Sequence, residues 1–240
     1  VAELGTQASL SFSIKDEAGK EIPCKAQFIG IDGTKNPNLG PANRAHVCID
    51  QYNSEKGHFQ VTLTPCKYRV IITRGIEFSH HDQVIDLKTG ETSQVNATLK
   101  RLVDTRGWVS TDFHNHSTPS GDNTCGTDDR VINLAAENIE FAPTTEHNRI
   151  YDWTPHIEKL GLADEISTVV GMELTGSGAH FNSFPLKPEP HLQDGGAPIW
   201  KKDPRLNAIT LRDWQGHEPD RWVHLNHPDM VENFADRRTE

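Results

Sequence analysis

Strict alternation of apolar and polar positions opens the chain. In the run ASLSFSI, Leu10, Phe12 and Ile14 fall on one face of an extended strand, and Ser9, Ser11 and Ser13 fall on the other. Similar short alternating or apolar runs recur as CKAQFIGI, HFQVTLT, YRVIITRG, QVIDL and QVNATLK. Turn chemistry separates them: Asp16 to Gly19, Asp32-Gly33 and Lys88-Thr89-Gly90. Many short strands between Gly/Asp turns predict a β-sandwich over residues 1–104. The stretch from Gly33 to Cys48, with Asn36-Pro37 and Gly40-Pro41, reads as a long loop.

From Arg106 the pattern changes. Strand-like pieces (GWVSTDFHNH, IEFAPTTEH, ISTVVGMEL, HFNSFPL, RWVHLNH) now alternate with helix-like ones (DDRVINLAAEN, TPHIEKLGL). Such alternation predicts βα units and a parallel sheet or barrel, with chemistry at the C-terminal ends of the strands. Residues 187–205, rich in Pro, Gly and Lys, read as a loop or insertion. Two domains are therefore expected, 1–104 and 105–240.

Charge follows the same division. Residues 1–104 hold 12 Lys and Arg against 12 Asp and Glu, while residues 105–240 hold 12 against 22, so the net charge of −10 belongs to the second part. Nine of the 13 histidines lie there too. The acidic balance argues against nucleic acid, which needs a basic face, and favours a small-molecule substrate. No apolar run approaches the roughly 18–20 residues needed to span a bilayer. A start at Val1 without an apolar leader suggests a processed chain, periplasmic or secreted, with a cytoplasmic location as the alternative. The four cysteines, at 24, 48, 66 and 125, show no C-x-x-C spacing; one disulfide among the first three would suit an exported protein. Oligomeric state is not legible.

The densest chemistry is Asp112-Phe113-His114-Asn115-His116. On a strand, residues two apart share a face, so the two imidazoles make a bidentate clamp for a metal while Phe113 packs behind. Asp122 follows in a Ser-Gly-Asp loop. The ends of the later strand-like pieces carry Glu146-His147-Asn148, Glu173, His180 with Asn182, and His224-Leu225-Asn226-His227. Four strand ends that each offer His or carboxylate make a ligand inventory for more than one divalent ion. No G-x-S-x-G occurs, which argues against a serine triad.

The order DFHNHS, SGD, TEHN, GMEL, GHFN, NHP resembles the polymerase and histidinol phosphatase (PHP) superfamily of metal-dependent hydrolases. The leading IKDEAGKEIPCKAQF and the junction GWVSTDFHNHS resemble the branch in which a carboxypeptidase-regulatory-like sandwich precedes the barrel, the carbaryl-hydrolase-like branch. The resemblance implies a distorted (β/α)7 barrel with two or three divalent ions (Zn, Mn or Fe). His114 and His116 would hold one ion, Glu173 would bridge it to a second held by His180 and His227, and Asp122 with His147 would hold a third. Asp112 and Glu146 would orient histidines by accepting their other N–H. Asn148 and Asn182 are weaker candidates for ligand contact.

The implied activity is hydrolysis of a phosphate ester, with a carbamate or amide bond as the alternative, and His180 or His227 as proton shuttle. Arg149, Lys201 and Lys202 are the candidates to meet a phosphate. Glu146 and Asp122 depart from the family's usual Asp and His. The family's late Asp-x-His element has no counterpart in residues 229–240. That absence implies an incomplete barrel in a fragment, a site completed by His191, His217 or His224, or a non-catalytic secreted binding module.

Overall fold

The computed structural model describes residues 7–40, 44, 48–176, 179–216 and 218–227. The chain divides into two compact units: Val1–Ser110 with Asp128–Glu140, and Thr111–Thr127 with Phe141–Glu240.

Among the described residues the first unit contains seven strands: β1 (Ala8–Lys15), β2 (Cys24–Gly30), β3 (Gln51–Ser54), β4 (His58–Leu63), β5 (Lys67–Thr73), β6 (His81–Asp86) and β7 (Thr92–Thr98). They form two sheets, ordered β4-β1-β7 and β3-β2-β5-β6. All neighbours are antiparallel except β1 and β7, which run parallel with Phe12 opposite Val95. The alternation read from the sequence is the packing rule. Leu10, Phe12 and Ile14 are fully buried, together with Phe28, Val70, Ile72 and Val95. The Phe12 ring stacks on Phe59 at 4.3 Å and meets Phe28 edge-on at 6.0 Å. Six of the seven strands are legible in the alternating runs. β3 (QYNS) is too short and too polar to show a period, and it forms by pairing with β2.

The helix α1 (Thr127–Ala136) lies, apart from its first residue, in the first unit rather than the second. Lys25 of β2 pairs with Glu137 just beyond it, and Arg74 Nη1 donates to the carbonyls of Pro23 at 2.8 Å and Ala135 at 3.3 Å. No disulfide links the four cysteines. Cys24 sits inside the core while Cys48 is exposed, so the expected bridge among Cys24, Cys48 and Cys66 is absent.

In the second unit three extended segments run parallel. Thr111 bridges Phe141, Phe141 bridges Ser167, and His147 bridges Glu173. These segments follow the parallel order that the sequence pattern predicts. The regular sheet does not: β8 (Met172–Gly176), β9 (Ala179–Phe184) and β10 (Trp222–Asn226) are ordered β10-β9-β8 and pair antiparallel. Only two residues separate β8 from β9, whereas a parallel crossover takes a dozen or more. The described residues therefore form no closed parallel barrel.

The described residues of this unit also hold two α-helices. The first, α2 (Thr154–Leu160), has Pro at its start and ends at Gly161, whose φ of 68° makes a left-handed cap. The second, α3 (Pro204–Asp213), begins at the end of the expected 187–205 loop, in a stretch for which the sequence pattern predicted no element. Its start signal is Asp203-Pro204: the Asp203 side chain accepts from Arg205 N, and Pro occupies the first turn. No described helix is long and apolar enough to cross a membrane.

Candidate metal centre

Backbone pairing in the second unit brings the polar strand ends together. Thr145 Oγ1 accepts from Asn115 N at 2.8 Å and donates to Asn115 O at 2.6 Å, which locks the segment after Thr111 against the segment after Phe141. Glu173 N donates to Glu146 O, and Asn148 N donates to Glu173 O at 2.7 Å. The Asn148 side chain completes this bracket, donating to Thr175 O at 3.0 Å and accepting from Thr175 N at 2.9 Å. Asn148 therefore holds backbone and is not directed to a ligand position.

The hub is Glu173. Its side chain is fully buried, and Oε2 lies 3.4 Å from His114 Nε2, 3.3 Å from His116 Nε2 and 3.0 Å from His147 Nδ1. Oε1 lies 3.2 Å from His180 Nδ1 and 4.0 Å from His227 Nε2. Asp122, largely exposed, reaches His147 Nε2 at 3.1 Å. All seven residues expected to bind metal are thus within reach of one buried carboxylate or its first histidine neighbour. The grouping differs from the one the resemblance implies. The atoms that converge closely enough for one ion are His114, His116 and Glu173 in one set, and His147, Glu173 and His180 in the other. His227 stands at the edge, with a side chain 42% exposed and a left-handed backbone (φ 49°).

Two observations suit this donor set to a divalent cation. Glu173 Oε2 and His180 Nδ1 are buried without a hydrogen-bond partner among the described residues, an arrangement that is costly unless a ligand satisfies it. The Nε2 atoms of His114 and His116 face each other at 3.0 Å beside a carboxylate oxygen, which is borderline-ligand chemistry. Burial alone would raise the Glu173 carboxyl, but the imidazoles of His114 and His147 and the Asn226 amide overcome it and hold the group ionised, well below the usual carboxylate range. Contact with Glu173 raises His147, against its burial. Burial lowers His116.

The supporting groups are not those expected. Asp112 Oδ1 accepts from His114 backbone N at 2.9 Å rather than from an imidazole. Glu146, fully buried, accepts from Ser117 N and Oγ, from Ser120 Oγ at 2.5 Å and from Trp153 Nε1 at 3.2 Å. It touches no histidine ring directly. Its carboxylate ends on two serines and an indole instead. Asn226 was not singled out in the sequence. Its amide donates to Glu173 Oε1 at 2.9 Å and to Asn182 Oδ1 at 2.7 Å, while Asn182 Nδ2 donates to Phe113 O at 2.7 Å. The available signal was its place beside His227 on the last strand.

Of the residues that were to complete the site, His224 lies on β10, where it accepts from Trp222 Nε1 at 2.9 Å and approaches Asn182 Nδ2 at 3.4 Å. His191 is an exposed loop residue. His217 and residues 228–240 lie outside the described residues, as do Ser177 and Gly178. Cys125 is buried, with Sγ toward Gly126 O at 3.7 Å, and has no part in the two ligand sets. Lys201 and Lys202 are exposed, and Arg149 pairs with Asp194 at 3.0 Å. That pair lines a separate cavity of about 560 Å³ together with Tyr151, His156 and Leu192.

No protein-family model matches the chain, and no curated protein matches it. Among solved structures it is similar to the minor pilin GBS52 of Streptococcus agalactiae, at 11% identity and a TM-score of 0.33. The match covers 41% of this chain and 46% of the pilin chain.

Proposed function

We propose that the chain is a metal-dependent hydrolase of the PHP kind, acting on a phosphate ester of a small molecule. The observation that carries this reading is Glu173: a fully buried carboxylate that faces four imidazoles, with one oxygen left without a hydrogen bond. His114, His116 and Glu173 would hold one divalent ion (Zn, Mn or Fe), and His147, Glu173 and His180 a second; Asp122 and His227 stand by as further ligands. Such ions supply Lewis-acid polarisation of the substrate and activation of water. The chain's own contribution is to hold the donors in place and the Glu173 carboxylate ionised. Of the two shuttle candidates, His227 is half-exposed and outside both sets and would pass a proton between the centre and solvent.

A second reading has one observation in its favour. Arg149, the cation nearest in sequence to the ligand set, is ion-paired with Asp194. With Arg149 committed to Asp194, the site suits a carbamate or amide, which carries no dianion.

The test is metal content by mass spectrometry on protein purified without chelator, beside His114→Ala/Glu173→Ala, followed by hydrolysis assays with aryl phosphate and aryl carbamate. About two equivalents of metal lost in the variant, with metal-dependent phosphate release, supports the proposal. Turnover of carbamate alone moves the assignment to the second reading. Less than about half an equivalent in the parent protein overturns both.

A further inference from the structure

The turn between His116 and Asp122 contains a buried hydroxyl whose proton has only one place to go. Ser120 Oγ has one hydrogen to donate and two lone pairs to offer. It accepts from His147 N at 2.9 Å, because a backbone N–H can only donate. It lies 2.5 Å from Glu146 Oε2. That carboxylate is an acceptor throughout: Ser117 N, Ser117 Oγ and Trp153 Nε1 all direct their hydrogens to it. The Ser120 proton therefore belongs to Glu146, and the second lone pair of Oγ faces His116 Nδ1 at 3.3 Å.

From this we infer that Ser120 is a positioning residue: backed by Glu146, it accepts from His116 Nδ1–H and so fixes the tautomer in which the lone pair of Nε2 is turned toward His114 and Glu173. The same oxygen accepts from the backbone of His147, one of the two histidines of the other set. A single buried hydroxyl thus couples the two ligand groups. This inference rests on the metal-centre reading only for its functional consequence, because the tautomer is a property of the metal-free chain.

The arrangement explains why an acidic group at position 146 supports the site without touching a histidine. An uncharged residue there would leave the serine free to turn its proton toward Nδ1, which selects the opposite tautomer and puts a hydrogen where a cation has to sit. Ser117 anchors the far side, with its hydroxyl shared between Glu146 Oε1 and Thr127 Oγ1.

The experiment is nitrogen-15 NMR of the imidazoles in the full metal-free chain at about pH 8, above the ordinary imidazole range near 6.5, with Ser120→Ala, Ser120→Thr and Glu146→Gln beside the parent. Zinc affinity of each is then measured by competition with a chromophoric chelator. The expected result is His116 protonated at Nδ1 in the parent and in Ser120→Thr. Ser120→Ala should lose this preference, Glu146→Gln should shift it toward Nε2–H, and both should bind zinc about 10–100-fold more weakly. An Nε2–H tautomer in the parent, or an unchanged tautomer and affinity in Ser120→Ala, overturns the inference. If Ser120→Ala does not fold, Glu146→Gln carries the same two readouts. A parent chain that shows Nδ1–H but takes up no metal leaves the relay standing and overturns the hydrolase reading instead.

Discussion

Asn226 and Glu173, 53 residues apart in the chain, are joined by a 2.9 Å hydrogen bond from the Asn226 amide to the buried carboxylate. The second hydrogen of that amide goes to Asn182 Oδ1, so one side chain from β10 fixes the carboxylate at the hub against β9. Replacing Asn226 by Leu keeps the branched shape and the number of heavy atoms and removes both hydrogen bonds. Metal stoichiometry should stay unchanged while affinity falls about 10–100-fold, read by calorimetric titration of zinc. An unaltered dissociation constant would show that Glu173 does not need this support.

Glu173 is common to both ligand sets, whereas His114 and His180 each belong to one. Glu173→Gln is nearly isosteric but removes the charge that the set requires. It should abolish uptake of both ions, while His114→Ala and His180→Ala should each lose about one equivalent. Metal analysis of the three purified variants distinguishes these outcomes. A Glu173→Gln protein with full metal content would remove Glu173 from the bridging position.

Gly171 leads directly into β8, where two backbone carbonyls approach it closely. A Cβ there would sit 2.5 Å from Ser183 O and 2.7 Å from Thr144 O, and neither backbone atom can move without disturbing its own pairing. Gly171→Ala should shift the strand that carries Glu173, two residues on. The expected effect is about 1–3 kcal/mol of destabilisation by urea titration, together with reduced metal uptake. Parent-like stability and metal content would count against the tight approach.

In the sandwich, Phe12 is fully buried and touches both Phe28 and Phe59. Phe12→Ala should cost about 3–5 kcal/mol, from lost apolar transfer and the cavity left behind. A loss under about 1 kcal/mol in chemical denaturation would mean that this ring is not central to the core.

Cys24 is buried on β2, and burial pushes its thiol from 9.0 up to about 12, the nearby Arg74 only partly opposing this. The folded chain keeps this proton up to about pH 12, while the unfolded chain releases it near 9.0. Its contribution to stability is therefore complete below pH 9 and is lost as the pH rises toward 12. At about pH 8 the thiolate fraction should be roughly a thousandfold below that of an exposed thiol, so Cys48 should alkylate quickly and Cys24 only after unfolding. Rapid labelling of Cys24 in the folded protein would contradict its burial.

The sequence by itself determined the sandwich and the inventory of donors. Period-two alternation around Phe12 is a local property, because every second side chain of an extended strand faces the same way, and it placed six of seven strands without reference to the rest of the chain. The histidines and carboxylates at 114, 116, 122, 147, 173, 180 and 227 were likewise legible from their places at the ends of apolar runs. Tertiary structure decided what depends on partners distant in sequence. The antiparallel pairing of β8 with β9 follows from a connection too short for a crossover, β10 joins β9 from across the stretch that holds α3, and β3 has no pattern of its own. Which histidines share Glu173, and why Glu146 reaches a histidine only through Ser120, are set by how far each side chain extends from a backbone position that only pairing fixes. An Asn at 226 reads as an ordinary polar residue until the fold brings it to the carboxylate at 173.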